Sequence, residues 1–270
     1  MVRPIRSVRV RVSQGTFFWR EIGHGPTLLM LHGSWSSSDQ WVPLMEALGR
    51  QFHCVAPDLL GFGESSTLPL KTYSIETEVN ALTECLKQLR TSPQFIVADS
   101  LGAWVAIRYC LKHPHQVKQL VIATPEGLTH PQLKQYWQPY RWLARAWAPR
   151  YWIIQTFAPL IIRFGQQKTW LRQIKARRQQ LRQNTAACRL LFQRQRTVLQ
   201  AEGLNEALPQ LSTPMLILQP AIASHRTTLI NALVHQLAPE AYIQIVPGTE
   251  TGLWHQAVDD IQTWLKQSSI

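Results

Sequence analysis

Short, unbroken apolar runs recur along the chain and end in small or turn-forming residues: TLLMLHG (27–33), HCVAPDL (53–59), FIVADS (95–100), LVIATPEG (120–127), PMLILQP (214–220) and YIQIVPG (242–248). Runs of this length fit strands buried on both faces of a parallel sheet. Upstream, SVRVRV (7–12) and GTFFWREIG (15–23) alternate apolar and polar positions before His24-Gly25-Pro26, which predicts an antiparallel hairpin at a sheet edge. Helical periodicity fills the gaps. The clearest case has Ser74 as N-cap, Glu76 and Glu78 in its first turn, and Ile75, Val79, Leu82, Leu86 and Leu89 on one face. The pattern predicts a doubly wound, mostly parallel α/β sheet.

The alternation breaks after LVIATPEG, where about 85 residues pass before the next strand near Pro214, far more than a crossover uses. The insertion predicts a helical cap over residues 128–212, between strands six and seven, with 1–127 and 213–270 forming the core. Within it, Tyr136, Tyr140, Leu143 and Trp147 share one helical face, and Lys134, Arg141 and Arg145 the opposite one. Pro149 and Pro159 punctuate an apolar run, YWIIQTFAPLIIRF (151–164). A second long helix is expected from about Thr169 to Leu199, with Ile174, Leu181, Cys188, Phe192 and Leu199 as its stripe.

Composition sharpens this picture in three ways. With 270 residues, 45% hydrophobic and 16% charged, one large core needs no metal or disulfide support. Cys54, Cys85, Cys110 and Cys188 are widely separated in apolar contexts, read as reduced core thiols, and point to a reducing compartment. The net charge of +12 is unevenly placed: 14 of the 28 Lys and Arg lie between Lys134 and Arg196, uninterrupted by any acid. Such a field suits an anionic partner, such as a membrane surface, whereas nucleic-acid binding is ranked last because no binding motif accompanies the charge. No run reaches the roughly 18 apolar residues of a spanning helix, and the first dozen residues lack a signal-peptide core. A cytoplasmic protein, at most peripheral to a membrane, is expected.

The candidate chemistry sits where the strand FIVAD meets Ser100 and the helix opening Leu101-Gly102-Ala103. A strand–serine–helix junction flanked by small residues, here Ala98 and Gly102, is a nucleophile elbow that lifts the hydroxyl above the sheet. Upstream, His32-Gly33-Ser34-Trp35 closes the first parallel strand, so backbone N–H groups of Ser34 and Leu101 are expected to converge as an oxyanion hole. Asp58-Leu59-Leu60-Gly61-Phe62-Gly63-Glu64-Ser65 makes a glycine turn after the next strand.

In order and spacing, His-Gly-x-Trp, Asp-x-x-Gly-x-Gly-x-Ser and Ala-x-Ser-x-Gly resemble the α/β-hydrolase superfamily with a lid between strands six and seven. The resemblance covers essentially the whole chain and implies that His32 and Asp58 are structural. It fails where catalysis needs it. Ala223 stands about where the family has its acid, and Thr249-Glu250-Thr251-Gly252 stands where its histidine is expected. A serine without an oriented base is a poor nucleophile. Two residues could restore a triad: His255, at the start of the final helix, as base, and Glu126, after LVIAT, as acid; His225 is a weaker candidate base. The alternatives are an exposed His255 and a Glu126 that merely faces the basic cap.

The expected function is therefore a serine hydrolase acting on an ester of a hydrophobic substrate, with Ser100, His255 and Glu126 as a relocated triad and no cofactor. Five of the 11 Trp (Trp137, Trp142, Trp147, Trp152, Trp170) lie in the cap and favour a large apolar substrate. The competing expectation is a catalytically impaired member of the superfamily that binds a ligand or scaffolds a complex.

Overall fold

The computed structural model describes residues 4–145, 148–157 and 168–267. Eight strands form one sheet: β1 (Arg6–Val12), β2 (Gly15–Ile22), β3 (Thr27–Leu31), β4 (His53–Pro57), β5 (Phe95–Asp99), β6 (Gln119–Ala123), β7 (Met215–Ile222) and β8 (Ala241–Thr249). Their order is β1-β2-β4-β3-β5-β6-β7-β8; β1–β2 and β2–β4 pair antiparallel, and every other neighbour pairs parallel. The alternating N-terminal segments are the edge hairpin that their pattern predicts. The continuous apolar runs are strands β3 to β8, and β3, β5 and β6 are buried almost throughout, but YIQIVPG forms the edge strand β8, with Tyr242 and Ile245 exposed rather than covered on both faces.

Helices α1 (Val42–Leu48), α2 (Ile75–Gln88) and α3 (Ser100–Lys112) follow β3, β4 and β5. Ser74 caps α2, its hydroxyl oxygen accepting the Thr77 N–H, and the stripe from Ile75 to Leu86 is buried against the sheet. Between β6 and β7 the structure describes α4 (Pro131–Leu143), α5 (Pro149–Thr156), α6 (Lys168–Gln183) and α7 (Arg196–Ala201). Beyond β7 come α8 (His225–Leu237), α9 (Leu253–Gln256) and α10 (Val258–Lys266). Among the described residues, no helix is long and apolar enough to cross a membrane.

The long helix expected from Thr169 to Leu199 is broken twice. At Asn184 the backbone leaves the helical region while the side-chain amide donates to the Gln180 carbonyl oxygen. At Arg194 it becomes extended, with the guanidinium turned to the buried carboxylate of Glu202. That carboxylate accepts the free N–H groups of Ile75 and Glu76 at the start of α2. A buried ion pair thus overrides periodicity, although Leu181, Cys188 and Phe192 still point into the core. The apolar face of α4 is partly consumed internally: Leu143 is buried, Tyr136 and Tyr140 pack ring to ring, and Trp137 meets Phe192, while Tyr136 stays 38% exposed. Trp147, the side chain of Trp170, and Leu160, Ile161 and Ile162 lie outside the described residues. All four cysteines are buried free thiols.

Candidate active site

The serine junction is set by backbone crowding. β5 remains apolar through Ala98 and α3 begins at Ser100, so the chain reverses almost without a loop. Ser100 has φ +49°, in the left-handed region that side-chain-bearing residues avoid at a cost of about 1–2 kcal/mol. The helix then passes hard against β3. A Cβ on Gly102 would lie 2.3 Å from the Leu31 carbonyl oxygen, and the Gly102 N–H donates to His32 O at 3.1 Å. Strain held in place by packing on both sides is what presents an elbow side chain above the sheet.

Ser100 is half-buried. Its hydroxyl donates to Glu126 Oε1 at 3.3 Å and lies 3.1 Å from the Ser34 hydroxyl. Glu126 is carried there by the loop after β6, where its own N–H donates to the Ser100 carbonyl oxygen at 3.0 Å. The Glu126 carboxylate is buried and paired: Arg226 Nη2 donates to the same Oε1 at 2.7 Å. The Arg226 guanidinium stacks over Tyr136 and Trp137 of α4, at 4.7 and 5.3 Å from their ring centroids. Neighbouring Glu250 accepts Ser224 N–H at 2.9 Å and Thr227 Oγ1–H at 2.6 Å, tying the loop after β8 to the start of α8. Burial works against the Glu250 charge, but these bonds outweigh it and hold the carboxyl below its ordinary value.

The N–H groups of Ser34 and Leu101, the expected oxyanion hole, make no hydrogen bond within the described residues. His255 is not brought into contact with Ser100. It is exposed on α9, and among the described residues no hydrogen bond or ion pair links it to Ser100 or Glu126. The reason is local. Leu253 is buried, and Trp254 packs edge-on against Trp41 at 4.8 Å and reaches the Asp99 carboxyl, so the next residue on the turn faces outward. His225 is likewise exposed, at the start of α8.

His32 and Asp58 hold loops. The Nδ1–H of His32 donates to Gly33 O at 2.9 Å, and its Nε2 accepts the Leu59 N–H at 3.0 Å. Burial lowers its pKa, against smaller opposing effects of that carbonyl and of Asp58, so the ring is neutral with both nitrogens committed. Asp58 accepts Ser38 N–H at 2.6 Å and Glu64 N–H at 2.8 Å.

Two site residues escape sequence reasoning. Arg226 lies in the first turn of α8, three residues after Ala223, where the resemblance leads one to look for an acid; the signal was the need of a buried Glu126 for a cation. Asp99, beside the serine, accepts from Gln40 Nε2 at 3.3 Å. Its pKa is pushed up to about 6, first by desolvation; Gln40 opposes the rise, Glu126 adds to it, and Trp254 and Arg226 pull back. The close approach also explains Gly33, where a Cβ would stand 2.8 Å from Asp99 Oδ2.

A cleft of about 220 Å³ adjoins Glu126 and Arg226. Trp104, Trp137, Leu191 and Ile230 give it apolar walls, and Lys134, Arg141 and Arg196 add cations to its lining.

The chain matches the alpha/beta hydrolase fold family over residues 26–219 and belongs to that family. The human monoacylglycerol lipase ABHD6 is 33% identical over 119 residues, 43% of this chain and 35% of that protein. The pimeloyl-[acyl-carrier protein] methyl ester esterase of Pseudoalteromonas atlantica is 33% identical over 103 residues, 38% of each chain. The chain spans less than half the length of these curated relatives. Among solved structures, a thermophilic esterase from Thermogutta terrifontis superimposes with a TM-score of 0.70 at 19% identity, over 97% of this chain and 98% of that one. At that identity the likeness concerns the fold alone.

Proposed function

We propose that this chain cleaves acyl esters through Ser100, with Glu126 rather than a histidine taking the serine proton. Its place in a hydrolase family with lipase and esterase relatives supports the reaction class. The observation that carries the residue assignment is the hydroxyl of a strained elbow serine donating to a buried carboxylate. In acylation, Ser100 Oγ bonds to the ester carbonyl carbon as its proton passes to Glu126. The carbonyl oxygen becomes an oxyanion facing the uncommitted N–H groups of Ser34 and Leu101. Collapse breaks the bond to the alcohol, which leaves with the proton from Glu126. Water then attacks the acyl-serine, yielding its proton to Glu126, and Ser100 recovers that proton as the acid departs.

A carboxylate is a weak base for this work: an ordinary Glu titrates near ~4.3, against ~6.5 for imidazole. Turnover is therefore slow and depends on leaving groups that need little protonation, such as aryl esters and thioesters. The apolar walls and cationic lining of the cleft favour an acyl ester that carries a negative group.

Hydrolysis of a medium-chain p-nitrophenyl ester tests the assignment. Ser100→Ala abolishes it, Glu126→Gln lowers it about a hundredfold or more, and His255→Ala leaves it unchanged. Loss of turnover in His255→Ala with Glu126→Gln fully active overturns it. The Arg226–Glu126 ion pair also favours a second reading, a protein that binds an amphiphilic ester without cleaving it. That reading predicts tryptophan-fluorescence titration by the ester with no product.

A further inference from the structure

Helix α5 is anchored by one side and bare on the other. Tyr151 is buried beneath the Arg178 guanidinium, which lies 4.5 Å from its ring centroid and donates to the carbonyl oxygens of Leu143 and Arg145. This fixes α5 against α6 and turns Trp152, Ile153 and the following Phe157 outward, 54%, 57% and 52% exposed. Isolated exposed apolar residues need no explanation, but three large ones on two adjoining turns form a patch.

Positive charge borders the Trp152 end of the patch. Arg172, Lys175, Gln179 and Arg182 share one exposed face of α6 by helical spacing, and Arg150 is exposed on α5 itself. Trp152, Lys175 and Arg182 line one shallow depression of about 360 Å³. No Asp or Glu occurs in the sequence between Glu126 and Glu202. An apolar, aromatic tip beside an acid-free cationic face is complementary to an anionic lipid leaflet. The side chains enter the acyl boundary while the cations meet the headgroups. A single strand of nucleic acid would use the charge and the two rings but not the exposed Ile153, which a lipid leaflet buries along with them.

We infer that this face, Trp152, Ile153 and Phe157 with Lys175 and Arg182, docks the protein on anionic membrane surfaces. The docking is independent of Ser100 chemistry. It places the contact on α5 rather than α4, because Trp152, Ile153 and Phe157 are more exposed than Tyr136, whose ring also meets Tyr140 and the Arg226 guanidinium.

Co-sedimentation of the full chain with phosphatidylcholine vesicles, with or without equimolar phosphatidylserine, tests it. The expected result is binding to the anionic vesicles at low ionic strength, weakened by salt but with a salt-resistant remainder. Lys175→Gln/Arg182→Gln lowers partitioning about thirtyfold, at about fivefold per charge removed. Ile153→Ser/Phe157→Ser lowers it about tenfold or more and removes the salt-resistant part. These positions are exposed, so the variants should melt with the parent protein, and Ser100→Ala should bind like it. Four results overturn the inference: no binding to anionic vesicles at low salt; equal binding to neutral vesicles; unchanged partitioning of Ile153→Ser/Phe157→Ser; or tighter binding to a DNA duplex, insensitive to the apolar substitutions.

Discussion

Replacing Arg226 with Met tests the electrostatic frame of the site. The substitution keeps an unbranched apolar stem but removes the cation 2.7 Å from Glu126 Oε1 and its stacking on Tyr136 and Trp137. The pair is only partly open to water, with side chains 21% and 7% exposed, so solvent screening recovers little. Stranding a buried carboxylate costs about 3 kcal/mol, and losing the ring contacts adds about 1 kcal/mol. For a chain of this size the sum lowers the melting temperature by roughly 8–12 °C. In a Glu126→Gln background, Arg226→Met should cost less than half as much, which a double-mutant cycle by urea unfolding at pH 8 measures. A cost below about 0.5 kcal/mol, or an equal cost in both backgrounds, refutes the reasoning.

Stability should fall as pH rises from about 4.5 to about 8, because buried Glu78, its pKa pushed up to about 8 by desolvation against the Leu60 N–H bond, keeps in the folded state a proton that the unfolded chain has released. The effect is on the order of 4 kcal/mol; Glu78→Gln should flatten urea-unfolding free energies over that window, and an unchanged slope contradicts it. Burial pushes the Cys54, Cys85, Cys110 and Cys188 thiols up to about 12. A thiol reagent at pH 8 should therefore find none of them in the native protein and all of them after denaturation; rapid native reaction refutes this.

The sheet was legible in the sequence because continuous apolar runs and a capped helix at Ser74 leave few alternatives, and each such run became a strand. The elbow was legible for the same reason: Ala98 and Gly102 answer a steric demand visible in a linear string. The catalytic surroundings were not. Whether His255 turns inward depends on Trp254 finding Trp41 and Asp99, partners more than 150 residues away in the chain. Arg226 went unnoticed because no local pattern links it to Glu126, 100 residues earlier. The break at Arg194 is of the same kind, since helical periodicity cannot register a buried Glu202 that needs a cation.

The central claim, that Ser100 is a working nucleophile served by Glu126, is tested most directly by intact-protein mass spectrometry after exposure to a fluorophosphonate at pH 8. One adduct is predicted on the parent chain and on His255→Ala. Ser100→Ala should show none, and Glu126→Gln should be labelled about a hundredfold more slowly or worse. An unlabelled but folded parent chain, or an adduct that disappears in His255→Ala and persists in Glu126→Gln, contradicts it.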